Sequence, residues 1–216
     1  MNQFSLNDSL VYFFNIPLIG ALTYIFISDE LGNEIRMGEL SNYLLRPYSV
    51  AFEALTRAVA SKLNNFITTI PIYLLVILYI TSSLHYPSIT LVSIGLFLIA
   101  IGMGFFLHFL FDLIIAYLAF WVVDVWSFVH FKKIVFLIFG GLMFPLDFLP
   151  APLDKIFMLL PFHYVYYLPN AYLMGKRSFV NLGPDVGLFI IWMIIFFSLQ
   201  RYVWSAGLKK YEASGG

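Results

Sequence analysis

The chain has 216 residues, of which 61% are hydrophobic, 19% aromatic and only 11% charged. A soluble domain carries about 25% charged residues, so this composition excludes a soluble globule and describes an integral membrane protein. Twelve basic residues balance twelve acidic ones and there is no cysteine. That removes the electrostatic case for nucleic acid and excludes disulfides, thiolate metal sites and cysteine nucleophiles.

Charge-free runs locate the crossings in chain order. A spanning helix needs roughly 20 mostly apolar residues. Between Asp8 and Asp29 lie 20 residues without Asp, Glu, Lys or Arg, which predicts a first crossing at 9–28. No basic segment precedes this run and an acidic doublet, Asp29-Glu30, follows it, unlike a cleaved signal peptide. Residues 33–46 are mixed. Leu40, Tyr43 and Leu44 share one helical face, Glu34, Glu39, Ser41, Asn42 and Arg46 are polar, and Pro47 closes the pattern. An amphipathic helix lying on the membrane surface over 34–46 is expected.

Between Lys62 and Asp112 lie 49 residues without a charge, too many for one crossing at about 1.5 Å per residue. The polar and breaker residues Ser82-Ser83-Leu84-His85-Tyr86-Pro87 divide them into spans at 63–82 and 88–116. A fourth span is expected at 133–149 and a fifth at 184–204. Residues 145–175 carry Pro145, Pro150, Pro152, Pro161 and Pro169 together with Tyr164, Tyr166, Tyr167 and Tyr172. Prolines oppose a straight crossing and tyrosines suit the headgroup level, so one or two short helices dipping into the outer interface are expected over 150–175.

Basic residues set the orientation. Arg36, Arg46, Arg57, Lys62, Lys132, Lys133, Lys209 and Lys210 fall on one side of a five-span chain, and Lys155, Lys176 and Arg177 on the other. This split places the 29–62 loop and the C-terminus in the cytoplasm, and the N-terminus outside. The expected architecture is a single all-α polytopic bundle over 1–216.

Catalytic constellations are sparse. Walker A needs Gly-Lys-Ser/Thr after a glycine-rich loop. The one Gly-Lys pair, Gly175-Lys176, is followed by Arg177, and Asn170 stands where the first glycine belongs. His108 and Asp112 are spaced i, i+4, which puts both on one helix face. They read either as a proton relay or half a metal site, or as a paired polar contact facing the bundle. No second His-carboxylate pair completes a metal site. Ser127, His130 and Asp124 have no nucleophile elbow to support hydrolase chemistry. The 24 Phe, 14 Tyr and 4 Trp would line an apolar path or pack between helices. Gly102, Gly104, Gly140 and Gly141 would allow close helix contact, within the chain or between copies.

The segment Glu34-Ile35-Arg36-Met37-Gly38-Glu39-Leu40, then Leu44-Leu45-Arg46-Pro47, resembles the membrane subunits of ATP-binding-cassette (ABC) exporters of the second type, the ABC-2-like permease family. Two more regions match in order. Gly140-Gly141, Pro145, Phe148, Pro150, Leu160-Pro161-Phe162, Tyr166, Pro169 and Gly175 look like the family's fifth helix and external re-entrant helices. Trp204, Gly207-Leu208-Lys209, Tyr211 and Gly215-Gly216 look like its cytoplasmic tail.

The resemblance implies a transport subunit that is not itself an enzyme and holds no cofactor. Two copies, or this chain and a paralogous permease, would form the translocation path among membrane lipid. A separate ABC ATPase subunit would dock on a coupling helix at Glu34, Ile35, Arg36, Gly38, Glu39, Leu40, Leu44, Arg46 and Pro47. The family usually has six crossings; five are read here, and the missing one would be the first, as if the start were assigned late or the gene split or truncated. The residues alone leave a second reading open, a channel or structural or assembly subunit outside the ABC family with no ATPase partner.

Overall fold

Helix α1, Leu6–Thr23, starts at a reciprocal cap: Ser5 Oγ accepts the Asp8 N–H and the Asp8 carboxylate accepts the Ser5 N–H, both at 3.0 Å. The computed structural model describes residues 5–80 and 90–214, and α-helix dominates them, with no strand among them. After α1 come α2 (Ser28–Arg36), α3 (Leu40–Leu44), α4 (Val50–Ile80), α5 (Leu91–Tyr117), α6 (Trp126–Phe139), α7 (Leu153–Leu159), α8 (Tyr167–Leu173) and α9 (Phe179–Ser214). The turn expected at Ser82–Pro87 and the terminal Gly215-Gly216 lie outside the described residues.

Three stretches are long and apolar enough to cross a membrane: Leu6–Arg36 taken through the α1–α2 joint, Leu91–Phe120 and Phe179–Tyr211. The expected span at 63–82 lies in the second half of α4, a continuous helix that starts 13 residues earlier, at Val50. The expected span at 133–149 is helical only to Phe139. At about 1.5 Å per residue α6 is about 21 Å long, short of a hydrocarbon core of about 30 Å. Gly141, at φ +84°, then turns the chain back.

α5 is the central post. It is apolar all round, as a helix contacted on several sides must be, and α1, α2, α8 and α9 all pack on it. Leu96, Ala100, Leu107, Leu113 and Ala116 are buried along its length. α9 lies beside it, with the Trp204 ring 4.8 Å from that of Tyr117. Gly207 lets α9 seat against the Phe120 ring, where a Cβ has no room.

The 161–174 segment is enclosed by the bundle. Every residue of α8 is buried, as are Tyr164, Val165 and Tyr166 just before it. The tyrosines expected at a lipid headgroup level are therefore covered by protein. The reason lies in α5: at Gly104 the helix meets the Tyr164–Val165 backbone directly, and any Cβ there would run into the Tyr164 carbonyl. Gly102, two residues earlier, has nothing within 4 Å.

These two glycines separate contact from composition. Gly104→Ala is expected to cost about 1–3 kcal/mol through overpacking, whereas Gly102→Ala is expected to stay within about 0.5 kcal/mol of the parent. Thermal unfolding of the two variants in detergent checks this, and equal effects would show that the close approach does not matter.

Candidate functional site

A helix end inside a bundle leaves amides and carbonyls that water cannot reach. α1 stops at Thr23 and α2 begins at Ser28, and Thr23, Ile25, Ile27 and Ser28 in this joint are buried. Its backbone groups are satisfied by side chains from three other helices. From α5, His108 Nδ1 accepts the Ile25 N–H at 2.8 Å, and Asp112 Oδ2 accepts the N–H groups of Ile27 at 2.6 Å and Ser28 at 3.0 Å. From α4, Lys62 Nζ donates to the Ala21 carbonyl at 3.1 Å and also to that of Tyr24, and Asn65 Nδ2 donates to Ala21 at 3.2 Å. From α6, Lys132 Nζ donates to the Ile25 carbonyl at 3.2 Å. Thr23 Oγ1 lies 3.0 Å from the Val165 carbonyl, linking the joint to the enclosed segment.

Lys132 and Asp112 are both fully buried and form an ion pair. An isolated buried charge is costly, and the pair persists because each member is also hydrogen-bonded to the joint. The Ile25 amide can only donate, so His108 Nδ1 carries the lone pair and Nε2 the proton. That Nε2 has no hydrogen-bond partner among the described residues. Its ring lies 4.8 Å from the Tyr24 ring and 4.6 Å from that of Phe136. Among the described residues no group of His, Asp and Glu is arranged to hold a metal ion.

Below the joint, the segment expected as one helix over 34–46 is two. Ile35 ends inside α2, Gly38 adopts φ +80°, and α3 starts at Leu40. Only glycine takes that backbone conformation without steric cost, so the break is written into the residue. Ile35 and Leu40 point into the core, Glu34 is half-buried, and Arg36, Gly38, Glu39, Leu44, Arg46 and Pro47 are exposed. Leu45 is 86% exposed, with Met37 and Leu44 beside it in sequence also outward. Leu40 and Leu44, expected on one face, thus differ in burial, Leu40 being enclosed and Leu44 exposed at the end of α3.

Arg57 of α4 holds this corner together. It binds Glu34 at 2.8 Å, Glu53 at 3.0 Å and the Tyr43 hydroxyl at 2.6 Å, with Glu30 at 3.4 Å. Burial opposes its charge, but those hydrogen bonds outweigh it and hold the guanidinium above its ordinary value. Arg46 joins through Glu53 at 2.7 Å. Burial pushes the Glu53 carboxyl up, but hydrogen bonds from Arg57 and Arg46 win and hold it below its ordinary value. On the other side, the Tyr211 hydroxyl of α9 donates to the Gly38 carbonyl at 2.8 Å, and Arg36 reaches the Val123 carbonyl at 3.3 Å.

The proline-rich region divides as well. Pro145, Pro161, Tyr166 and Pro169 are buried, Phe162 is half-buried against the Phe111 and Phe136 rings, and Pro150 is exposed. Asp185 of α9 anchors it: its carbonyl accepts from Tyr164 at 2.6 Å, its carboxylate from Tyr172 at 2.7 Å, and it pairs with Arg177. Asn170 and Asn15 bond at 2.9 Å, and Asn170 also donates to the Tyr12 carbonyl at 2.9 Å. Asp124 caps Trp126 and His130 bonds the Trp126 carbonyl, with no hydrogen bond among the described residues joining them to Ser127.

The structure therefore brings His108 and Asp112 together with residues that spacing did not connect to them, namely Lys62, Asn65 and Lys132. The residues at 34–47 form a second centre around Arg57, and Tyr164, Tyr172 and Arg177 a third around Asp185. A family model described as ABC-2 family transporter protein matches residues 1–215. No curated protein and no solved structure gave a significant match.

Two outcomes test these centres. Asp112→Ala leaves Lys132 buried without a counter-charge and is expected to cost about 3–5 kcal/mol. Adding Lys132→Met is expected to recover part of that loss in the same unfolding assay. Recovery of nothing would mean that the charge pair is not the source. The Glu53 carboxyl lies below its ordinary 4.5 in the folded chain, so its stabilisation is in force above that pH and fades as the pH falls through the folded value. The acid limb of a stability–pH curve is expected to flatten in Glu53→Gln.

Proposed function

The chain belongs to the ABC-2 transporter family, and from that premise we propose that it is the membrane-spanning permease subunit of an ABC exporter, driven by a separate ATPase subunit that docks on residues 34–47. A second copy, or a paralogous permease, completes the path. The segment 29–62 and the C-terminus face the cytoplasm.

One observation carries the docking assignment. The 34–47 segment presents Met37, Leu44 and Leu45 outward beside Glu39 and Arg46, while Ile35 and Leu40 fasten its opposite side to the core. Exposed leucines on a short, anchored element are the kind of feature a partner's groove covers. The orientation rests on the distribution of basic residues. Lys132 is used inside the bundle and leaves that count, so seven remain against three.

Leu45→Asp and Glu39→Arg are expected to reduce co-purification of a nucleotide-binding partner about tenfold, equivalent to about 1.4 kcal/mol, and to abolish ATP-dependent export. Thermal unfolding should stay unchanged, because both side chains are exposed. Full retention of the partner by both variants would remove the docking role.

A further inference from the structure

Between α9 and the α3–α4 corner lies a cavity of about 550 Å³ whose lining includes Ser49, Val50, Gln200, Arg201, Trp204 and Ser205. Its chemistry is one-sided. Arg201 is the sole charged residue in the lining and no carboxylate faces it there. Among the described residues its guanidinium makes only a ring contact, 5.5 Å from the centroid of Phe197. The long helix α4 begins at the cavity, with Ser49, Val50 and Ala51 in the wall. Ser49 caps this end, its Oγ accepting the Phe52 N–H at 3.2 Å, which leaves the Val50 and Ala51 amides without an intrahelical acceptor, and the helix dipole adds partial positive charge there.

Gln200 supplies the independent sign of a ligand. It lines the cavity although it is only 7% exposed, and its amide makes no hydrogen bond to any described residue. With no partner among the described residues, that amide is free to bond whatever occupies the cationic chamber it lines. From the cavity wall at Phe197, Ile194 and Ile190 lead away along the same face of α9, the three standing at i−4, i−7 and i−11 from Arg201, and all are exposed. The surface thus changes along the helix axis from a cationic, hydrogen-bonding pocket to an apolar lane. Trp204 and Tyr48 also line the cavity, and they are aromatic types that favour a membrane–water boundary.

We propose that this cavity binds the headgroup of an anionic phospholipid, with one acyl chain lying along the Phe197–Ile194–Ile190 lane. Arg201 and the start of α4 receive the phosphate, Gln200 bonds a headgroup oxygen, and the lane receives the chain. A helix from a second copy would need an apolar stripe continuing past Arg201, whereas an amphiphile aligned with α9 matches the polarity step. The site shares Leu44 with the segment proposed to dock the ATPase, but the lipid test is run on the chain alone and needs no ATPase.

Native mass spectrometry of the purified full chain in neutral detergent tests it, with equimolar dioleoyl-phosphatidylglycerol and dioleoyl-phosphatidylcholine. One basic residue near the membrane surface contributes about 1 kcal/mol toward anionic lipid, so phosphatidylglycerol should be retained about fivefold over phosphatidylcholine. Arg201→Gln should bring the two lipids to parity, Arg201→Lys should keep most of the preference, and Gln200→Ala should weaken it. Lys209→Gln, outside the cavity, should leave it intact. Arg201 is exposed, and an unchanged helix signal and elution volume confirm that each variant is folded. Parity in the parent chain, or a preference untouched in Arg201→Gln, would overturn the site. Displacement of the lipid by equimolar glycerol 3-phosphate would overturn the lipid assignment in favour of a soluble phosphate. Loss of a dimer in Arg201→Gln with unchanged lipid preference would assign the face to a second copy and likewise overturn it.

Discussion

A helix can stop inside an apolar bundle only if something else takes over its hydrogen bonds. The Asp112 carboxylate does so for the start of α2, accepting two consecutive amides that no residue of α2 itself caps. An N-terminal cap usually comes from the residue before the helix. Here that residue is Ile27, which has no side-chain oxygen, and the cap comes from a residue 84 positions away, on another helix. The direction in which α2 leaves the bundle is therefore set by α5. So is the position of everything α2 carries, including Glu34 and its bond to Arg57 at the head of α4.

Electrostatics explains why the joint uses charge. A neutral acceptor could take the two amides, but a carboxylate accepts them more strongly and nearly twice as tightly in energy as a neutral oxygen. It must then be neutralised, because an unpaired carboxylate within protein is costly. Lys132 does that, and its remaining donor capacity goes to the Ile25 carbonyl. Lys62 treats the carbonyl end of α1 in the same manner, from the opposite helix. Polar residues of α4, α5 and α6 thus converge on four residues of irregular backbone, Tyr24–Ile27, and on the helix ends beside them. Unlike apolar packing, which tolerates some sliding, these bonds permit one register among the helices.

Part of this was legible in the sequence and part was not. The i, i+4 spacing of His108 and Asp112 marked one face of one helix, because helical periodicity is a local property. Lys132 could not be matched to Asp112, because charge statistics assign a lysine beside another lysine to a loop, and only the α5–α6 turn brings it back. The all-helical membrane class followed from composition alone. The surface character of 33–46 came from its alternating polarity, yet the break at Gly38 was hidden: a glycine within a helical pattern does not announce its φ. The enclosure of the tyrosines by protein was not legible for a related reason. A tyrosine suits a headgroup region or a buried hydrogen bond equally well, and the choice rests on Asp185 and Gly104, both distant in sequence from the residues they receive.

The same connections limit how a displacement at 34–47 can spread. Toward α4 the path is short and stiff: Arg57 grips Glu34 and Tyr43, and α4 runs unbroken from Val50 to Ile80. Toward α1 the backbone is continuous but irregular at 24–27, so tilting α2 can be absorbed there by rotation about φ and ψ. Toward α5 the link is Asp112, and beyond it the direct backbone contact at Gly104 with the 164–165 turn. On the proposed reading, force from a docked ATPase reaches the far side of the bundle through α5 and the enclosed α8 segment, and α1 is carried along by the Lys62 and Asn65 bonds to its end and by the Asn15–Asn170 bond to α8. Hydrogen bonds made by side chains, not chain continuity, decide which helices move as one body.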